Sequence, residues 1–190
     1  MAEAHFQLQI VTPEGVQLNE SVDELTAPSV AGQFGVLPGH RPMLAALSTG
    51  IISYTQHGSV TQVAVGAGYV DINGDRAVVL TDRFSTKAAV DPVRVRLELR
   101  DVDAALEAKQ SQASEAPAGA ADALGGPEHI ELVSRELWAA ALLELHGDPP
   151  PPTLRGFEEA RLAENYLATA LAQNAADESD PSGTSGLVGE

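Results

Sequence analysis

With 27 acidic residues against 11 basic ones, this 190-residue chain carries a formal charge of −16. That balance repels phosphate backbones and anionic lipid surfaces, which argues against nucleic-acid binding. The absence of cysteine removes disulfides and thiolate metal sites and fits a reducing compartment. No apolar run approaches the roughly 18–20 residues that span a bilayer. The opening Met1-Ala2-Glu3-Ala4 has neither the basic nor the apolar region of a secretory signal, so a soluble protein is expected. Aromatics make up only 4% of the chain, so its core must be built from Val, Leu, Ile and Ala.

The first half reads as strands. Phe6, Leu8 and Ile10 alternate with Gln7 and Gln9, the period of a half-buried strand. Pro13-Glu14-Gly15 turns the chain into Val16 and Leu18, and Val22 to Ala27 is a further strand closed by Pro28. Next comes Gly32-Gln33-Phe34-Gly35-Val36-Leu37-Pro38-Gly39-His40-Arg41-Pro42, where breakers surround a short apolar strand pinned between two turns. Met43 to Leu47, Ile51 to Thr55 and Val60 to Val65 follow, the last two joined by His57-Gly58. Asn73-Gly74 suits both positive-φ positions of a type I′ turn between Val70-Asp71-Ile72 and Ala77 to Leu80. Many short strands with turn residues between them point to a sandwich or flattened barrel that ends near Thr86.

Asp91-Pro92 suits the cap and first position of a helix, although Val93 to Leu99 also alternates as a strand would. The stripe Val95, Leu99, Val102 and Leu106, with helix formers running to Gln110, favours helix and would pair Arg94 with Glu98. Ser111 to Pro127 reads as a linker. A second helix from Pro127 to Gly147 carries the stripe Ile130, Val133, Leu137, Ala141 and Leu145, with Trp138 beside it as packing core. Pro149 to Pro152 is a polyproline spacer before a third helix bearing Ala160, Ala163, Leu167 and Ala170. Residues 177–190 are small, polar and acidic, and are expected to be disordered.

The glycine-rich stretch also carries a family resemblance. Its Gly-x-x-Gly-Val-Leu-Pro-Gly-His-x-Pro lies some twenty residues beyond Ile10-Val11-Thr12-Pro13-Glu14. With Gly50, Gly66-Ala67-Gly68-Tyr69-Val70 and Val79-Leu80-Thr81-Asp82 in the same order, it resembles the epsilon subunit of bacterial F-type ATP synthases. The resemblance implies a β + α chain, with an N-terminal antiparallel β-sandwich and a C-terminal helical domain. That domain would be an extended helical hairpin, from Val90-Asp91-Pro92-Val93-Arg94 to Ala163-Glu164-Asn165-Tyr166-Leu167, with an inserted helix. The expected units are a docking sandwich over 1–86, a regulatory helical domain over 87–176 with an insert over 111–153, and the tail.

No residue set suggests catalysis. There is no G-x-S-x-G elbow, phosphate-binding loop or dinucleotide signature, and the five histidines lack metal-ligand spacing. Neither a cofactor nor a metal is expected. Two other readings stand beside the resemblance: a jelly-roll metalloenzyme using His40 and His57, and a free-standing adaptor whose helices bind a protein.

The resemblance implies a non-catalytic central-stalk subunit at the cytoplasmic face of the bacterial plasma membrane, peripheral to it. Its partners would be the gamma subunit, the c-ring and, through the helices, the alpha and beta catalytic subunits, with no membrane contact except through the complex. It would couple c-ring rotation to ATP synthesis and restrain hydrolysis through its helical domain. The contact set it implies is Gly32, Gln33, Phe34, Gly35, Pro38, Gly39 and His40, with Gln33 where many members have an acidic residue. Gly35 and Gly39 are expected to tolerate substitution less well than His40. Asp91 and Arg94 are remnants of the family's nucleotide motif, but Leu162 and Tyr166 stand where its second-helix arginines would be. No ATP binding is therefore expected.

Overall fold

The computed structural model describes residues 4–115 and 126–150. The ten strands are β1 (Phe6–Thr12), β2 (Gly15–Val22), β3 (Glu24–Ser29), β4 (Gly32–Val36), β5 (His40–Leu47), β6 (Gly50–Gln56), β7 (Ser59–Val65), β8 (Gly68–Gly74), β9 (Arg76–Thr81) and β10 (Phe84–Thr86). A 3-10 turn over Lys87–Ala89 leads to helices α1 (Pro92–Glu115) and α2 (Pro127–His146).

The strands run in the order β10-β7-β6-β3-β5-β8-β9-β1-β2, with β4 paired on β3. β3 meets β5 at a single register pair, Ser29 opposite Leu47, so the sheet folds over there into two layers. Strand alternation turns Phe6, Leu8 and Ile10 of one layer towards Ile52, Val63 and Val65 of the other, and all six are buried in one core. The antiparallel expectation holds for every pair except one: β1 lies parallel to β9. The β1–β2 hairpin occupies the edge of its layer, so β1 reaches β9 along its other side.

Three local expectations need correction. β2 keeps Val22, and the next strand starts at Glu24 and runs through Pro28 to Ser29. Proline is tolerated because the β6 ladder has already ended at Thr26, so Pro28 has no donor to supply on that side. The β8–β9 loop is Gly74-Asp75, one residue later than expected, because Asn73 pairs with Arg76. Only Gly74 has positive φ there, whereas His57 (φ 51°) and Gly58 (φ 76°) are the pair that meets the type I′ requirement.

Asp91 caps α1 as expected: its Oδ1 accepts the amides of Val93 (3.1 Å) and Arg94 (3.2 Å). Val95, Leu99, Val102 and Leu106 are all buried. The helix continues to Glu115, beyond the expected linker start at Ser111. Glu98 pairs across to Arg135 (3.2 Å) instead of back to Arg94.

α2 begins at Pro127 and ends at Gly147, which adopts φ 100° as a left-handed cap. It runs antiparallel to α1 and packs against it. Its buried set includes Ala139, Leu143, His129 and Glu136 besides the expected Val133, Ala141 and Leu145, while Ile130 and Leu137 are half-buried. A single stripe falls short because α2 touches α1 on one side and β6–β7 on another. The expected third helix, its Leu162 and Tyr166, and the acidic tail lie outside the described residues.

Candidate functional site: an apolar row across the open sheet

The glycine-rich stretch does not form one patch. Ser29 pairs with Gly32, so Gly32 and Gln33 lie at the end of the sandwich where β3 turns into β4. Phe34 is half-buried against the core, and Gly35 is an exposed strand residue opposite Thr26. Pro38, Gly39 and His40 lie at the opposite end, beyond the length of β4, since His40 is in register with Gly74. At about 3.3 Å per residue, the five residues of β4 keep the two groups roughly 13 Å or more apart.

The turn at the second end has a defined geometry. The His40 amide donates to the Leu37 carbonyl (3.0 Å). With Pro38 first and Gly39 at φ 79° second, this is a type II turn, which requires φ > 0 at its second central residue. Gly35 has no positive φ, so the expected sensitivity applies to Gly39 alone. His40 Nδ1 lies 2.8 Å from the Arg41 carbonyl oxygen. A carbonyl only accepts, so that nitrogen carries the hydrogen.

The metal reading joined His40 and His57, and each has another neighbour. His57 faces His5, with ring centroids 6.1 Å apart, and His5 bonds Asp23 at 2.5 Å. No group of three or more metal-ligating side chains converges among the described residues. Asp91 spends its carboxylate on capping α1, and Arg94 is exposed beside it.

A different surface stands out on the layer that α2 leaves open. Inward Leu47, Val70, Val79 and Ile10 are core residues, so their neighbours Ala46, Tyr69, Leu80 and Val11 face outward. The pairings Ala46–Tyr69, Tyr69–Leu80, Leu80–Val11 and Val11–Val16 join these into one transverse row across five strands. Val16 is 57% exposed, and Tyr69 and Leu80 are each 50% exposed. Leu44, on the same face of β5, is 71% exposed. The signal in the sequence was the doubled apolar pairs Ile10-Val11, Tyr69-Val70 and Val79-Leu80, where simple alternation would put a polar residue outward.

The approach of β8 to β9 is fixed by glycine. A Cβ on Gly68 would lie 1.9 Å from the Leu80 carbonyl oxygen. The Thr81 hydroxyl, buried, donates to the Gly66 carbonyl at 2.9 Å. These contacts hold Tyr69 and Leu80 side by side. Elsewhere, the Thr12 hydroxyl holds the Glu14 carboxyl below its usual range, and burial raises the Tyr54 phenol above its own against an opposing Thr61 bond.

The described residues form a two-layer β-sandwich with a helical hairpin packed on one layer and an exposed apolar row on the other. Residues 5–87 match the family model described as the ATP synthase Delta/Epsilon chain beta-sandwich domain. The chain is 42% identical over 101 residues to ATP synthase epsilon chain 2 of Syntrophotalea carbinolica, spanning 53% of this chain and 73% of that protein. It is 37% identical over 94 residues to the ATP synthase epsilon chain of Carboxydothermus hydrogenoformans, spanning 50% and 70% respectively. The fold resembles a chain of the Euglena gracilis mitochondrial ATP synthase structure, with TM-score 0.52, 21% identity, and coverage of 74% of this chain and 80% of that one. The chain belongs to the ATP synthase epsilon chain family.

Proposed function

We propose that this chain is a non-catalytic subunit of a rotary, proton-translocating ATP synthase, docking through its sandwich onto the central stalk. The observation that carries the reading is the row Ala46, Tyr69, Leu80, Val11 and Val16. An exposed apolar band across five strands is a surface suited to burial against a partner. The gamma subunit is the partner assigned to this face. The Gly32–Gln33 end is assigned to polar loops of the c-ring, with the uncharged Gln33 offering hydrogen bonds in place of an ion pair. The Pro38-Gly39-His40 end then serves a separate contact.

This reading places the chain at the cytoplasmic face of a bacterial plasma membrane, held there by its complex. No helix among the described residues is long and apolar enough to cross a membrane. The sandwich over 1–86 is the docking unit, and the helices beyond it are assigned to contact with the alpha and beta subunits and restraint of hydrolysis. Affinity purification of the tagged chain from detergent-solubilised membranes tests the assembly. Gamma and c subunits should be recovered with the wild type and lost with Tyr69→Asp. Equal recovery with a folded Tyr69→Asp variant would remove the apolar row from the interface.

A further inference from the structure

We propose that α2 is a strap that holds α1 to the body of the protein, with three edge ion pairs as its catch. The buried stripe of α1 packs in two clusters, one with Ala139, Leu142 and Leu143 and the other with Leu132, Val133 and Leu137. Apart from Val90, every partner in those clusters comes from α2. On its other side, α2 lies against β6 and β7. There Ala64, between core residues Val63 and Val65, faces outward yet is fully buried, so α2 covers it. Ala141 and Leu145, buried but outside both seam clusters, sit about 200° around the helix from Ala139 and Leu143. Two sides of one helix are therefore occupied, one by α1 and one by β6 and β7.

The catch is distributed along the seam. At one end the Arg96 guanidinium donates twice to Asp148 Oδ2, from Nε at 2.8 Å and Nη2 at 2.5 Å. Arg135 meets Glu98 (3.2 Å) at the middle, and Lys109 meets Glu128 (2.6 Å) at the far end. Asp148 is placed for this by the left-handed cap: the amides of Gly147 and Asp148 both donate to the Leu143 carbonyl (3.1 and 2.9 Å). Between these pairs the helix buries His129, whose Nδ1 has no hydrogen-bond partner among the described residues. The edge pairs carry charge across the seam between the two helices. Those charges are solvent-reachable, with Arg96 and Asp148 side chains 53% and 49% exposed, so salt screens them.

Hydrogen exchange followed by mass spectrometry on the full chain tests this. Exposed pairs are individually weak, about two- to fivefold each in an equilibrium. Arg96→Ala with Arg135→Ala should therefore speed exchange in α1 by roughly tenfold, while the strands of the sandwich keep their protection. Salt at about 1 M should do the same to the wild type. The swapped pair Arg96→Asp with Asp148→Arg should restore most of the protection lost in Arg96→Asp alone. Unchanged α1 protection in both the double variant and high salt would show the catch to be inert. Loss of protection in the sandwich together with α1 would show one cooperative unit, with no strap.

Discussion

Gly68 lies so close to the backbone of Leu80 that a Cβ there would sit 1.9 Å from the Leu80 carbonyl oxygen. Backbone cannot swing aside, so β8 and β9 would have to separate. Gly66 differs, because the atom a Cβ would meet at 1.9 Å is Oδ1 of the exposed Asp82 side chain, which can rotate away. Gly68→Ala should cost about 2 kcal/mol or more, and Gly66→Ala less than about 1. Urea unfolding of the two variants checks the order.

The turn beside His40 gives a second ordering. Gly39 has φ 79°, so Gly39→Val should lose roughly 1–3 kcal/mol. A Cβ on Gly35 would have only the Leu25 carbonyl oxygen near it, at 4.0 Å, so Gly35→Val should be tolerated despite the shared motif. His40→Ala removes one exposed bond and should fall between them, near 1 kcal/mol. Thermal denaturation of the three variants would expose a wrong assignment through a reversed order.

Burial raises the pKa of the Tyr54 hydroxyl, favouring its neutral form in the folded chain. The stability this contributes is whole below the pKa of an unfolded tyrosine, about 10. It is lost as pH climbs from there through the folded value. Stability should fall above about pH 10 in the wild type, and that part of the fall should vanish in Tyr54→Phe. Denaturant midpoints between pH 8 and 11 measure it.

The sandwich core contains no residue from either helix. A fragment ending at residue 87 should therefore fold cooperatively, keep the apolar row and still assemble. Circular dichroism and recovery with the gamma subunit test both halves of that expectation. A fragment that folds but does not assemble would move the docking surface into the helices.

Much of this was legible in the sequence, for identifiable reasons. Phe6, Leu8 and Ile10 announce a core face because strand period and burial coincide in them. Asp91-Pro92 and Gly147 mark helix ends because their chemistry is local. The register of β8–β9 was not legible: Asn-Gly suits one turn type, but pairing of Asn73 with Arg76 moved the loop onward by one residue. The division of Gly32 from His40 also escaped a linear reading, because a strand of apolar and small residues between two breakers looks like one loop until β4 is paired. Neither Tyr69 nor Leu80 could be recognised as exposed before the layers were known. The burial of α2 on two faces follows from tertiary packing, which a single helical stripe does not encode.

The most direct measurement is proton-driven ATP synthesis in membrane vesicles whose sole copy of this chain carries Tyr69→Asp with Leu80→Asp. Both side chains are half-exposed, so the charges leave the core intact, as circular dichroism of the purified variant should confirm. Docking through the apolar row predicts synthesis reduced to the level of vesicles lacking the chain. Wild-type synthesis with the variant present and folded would contradict it.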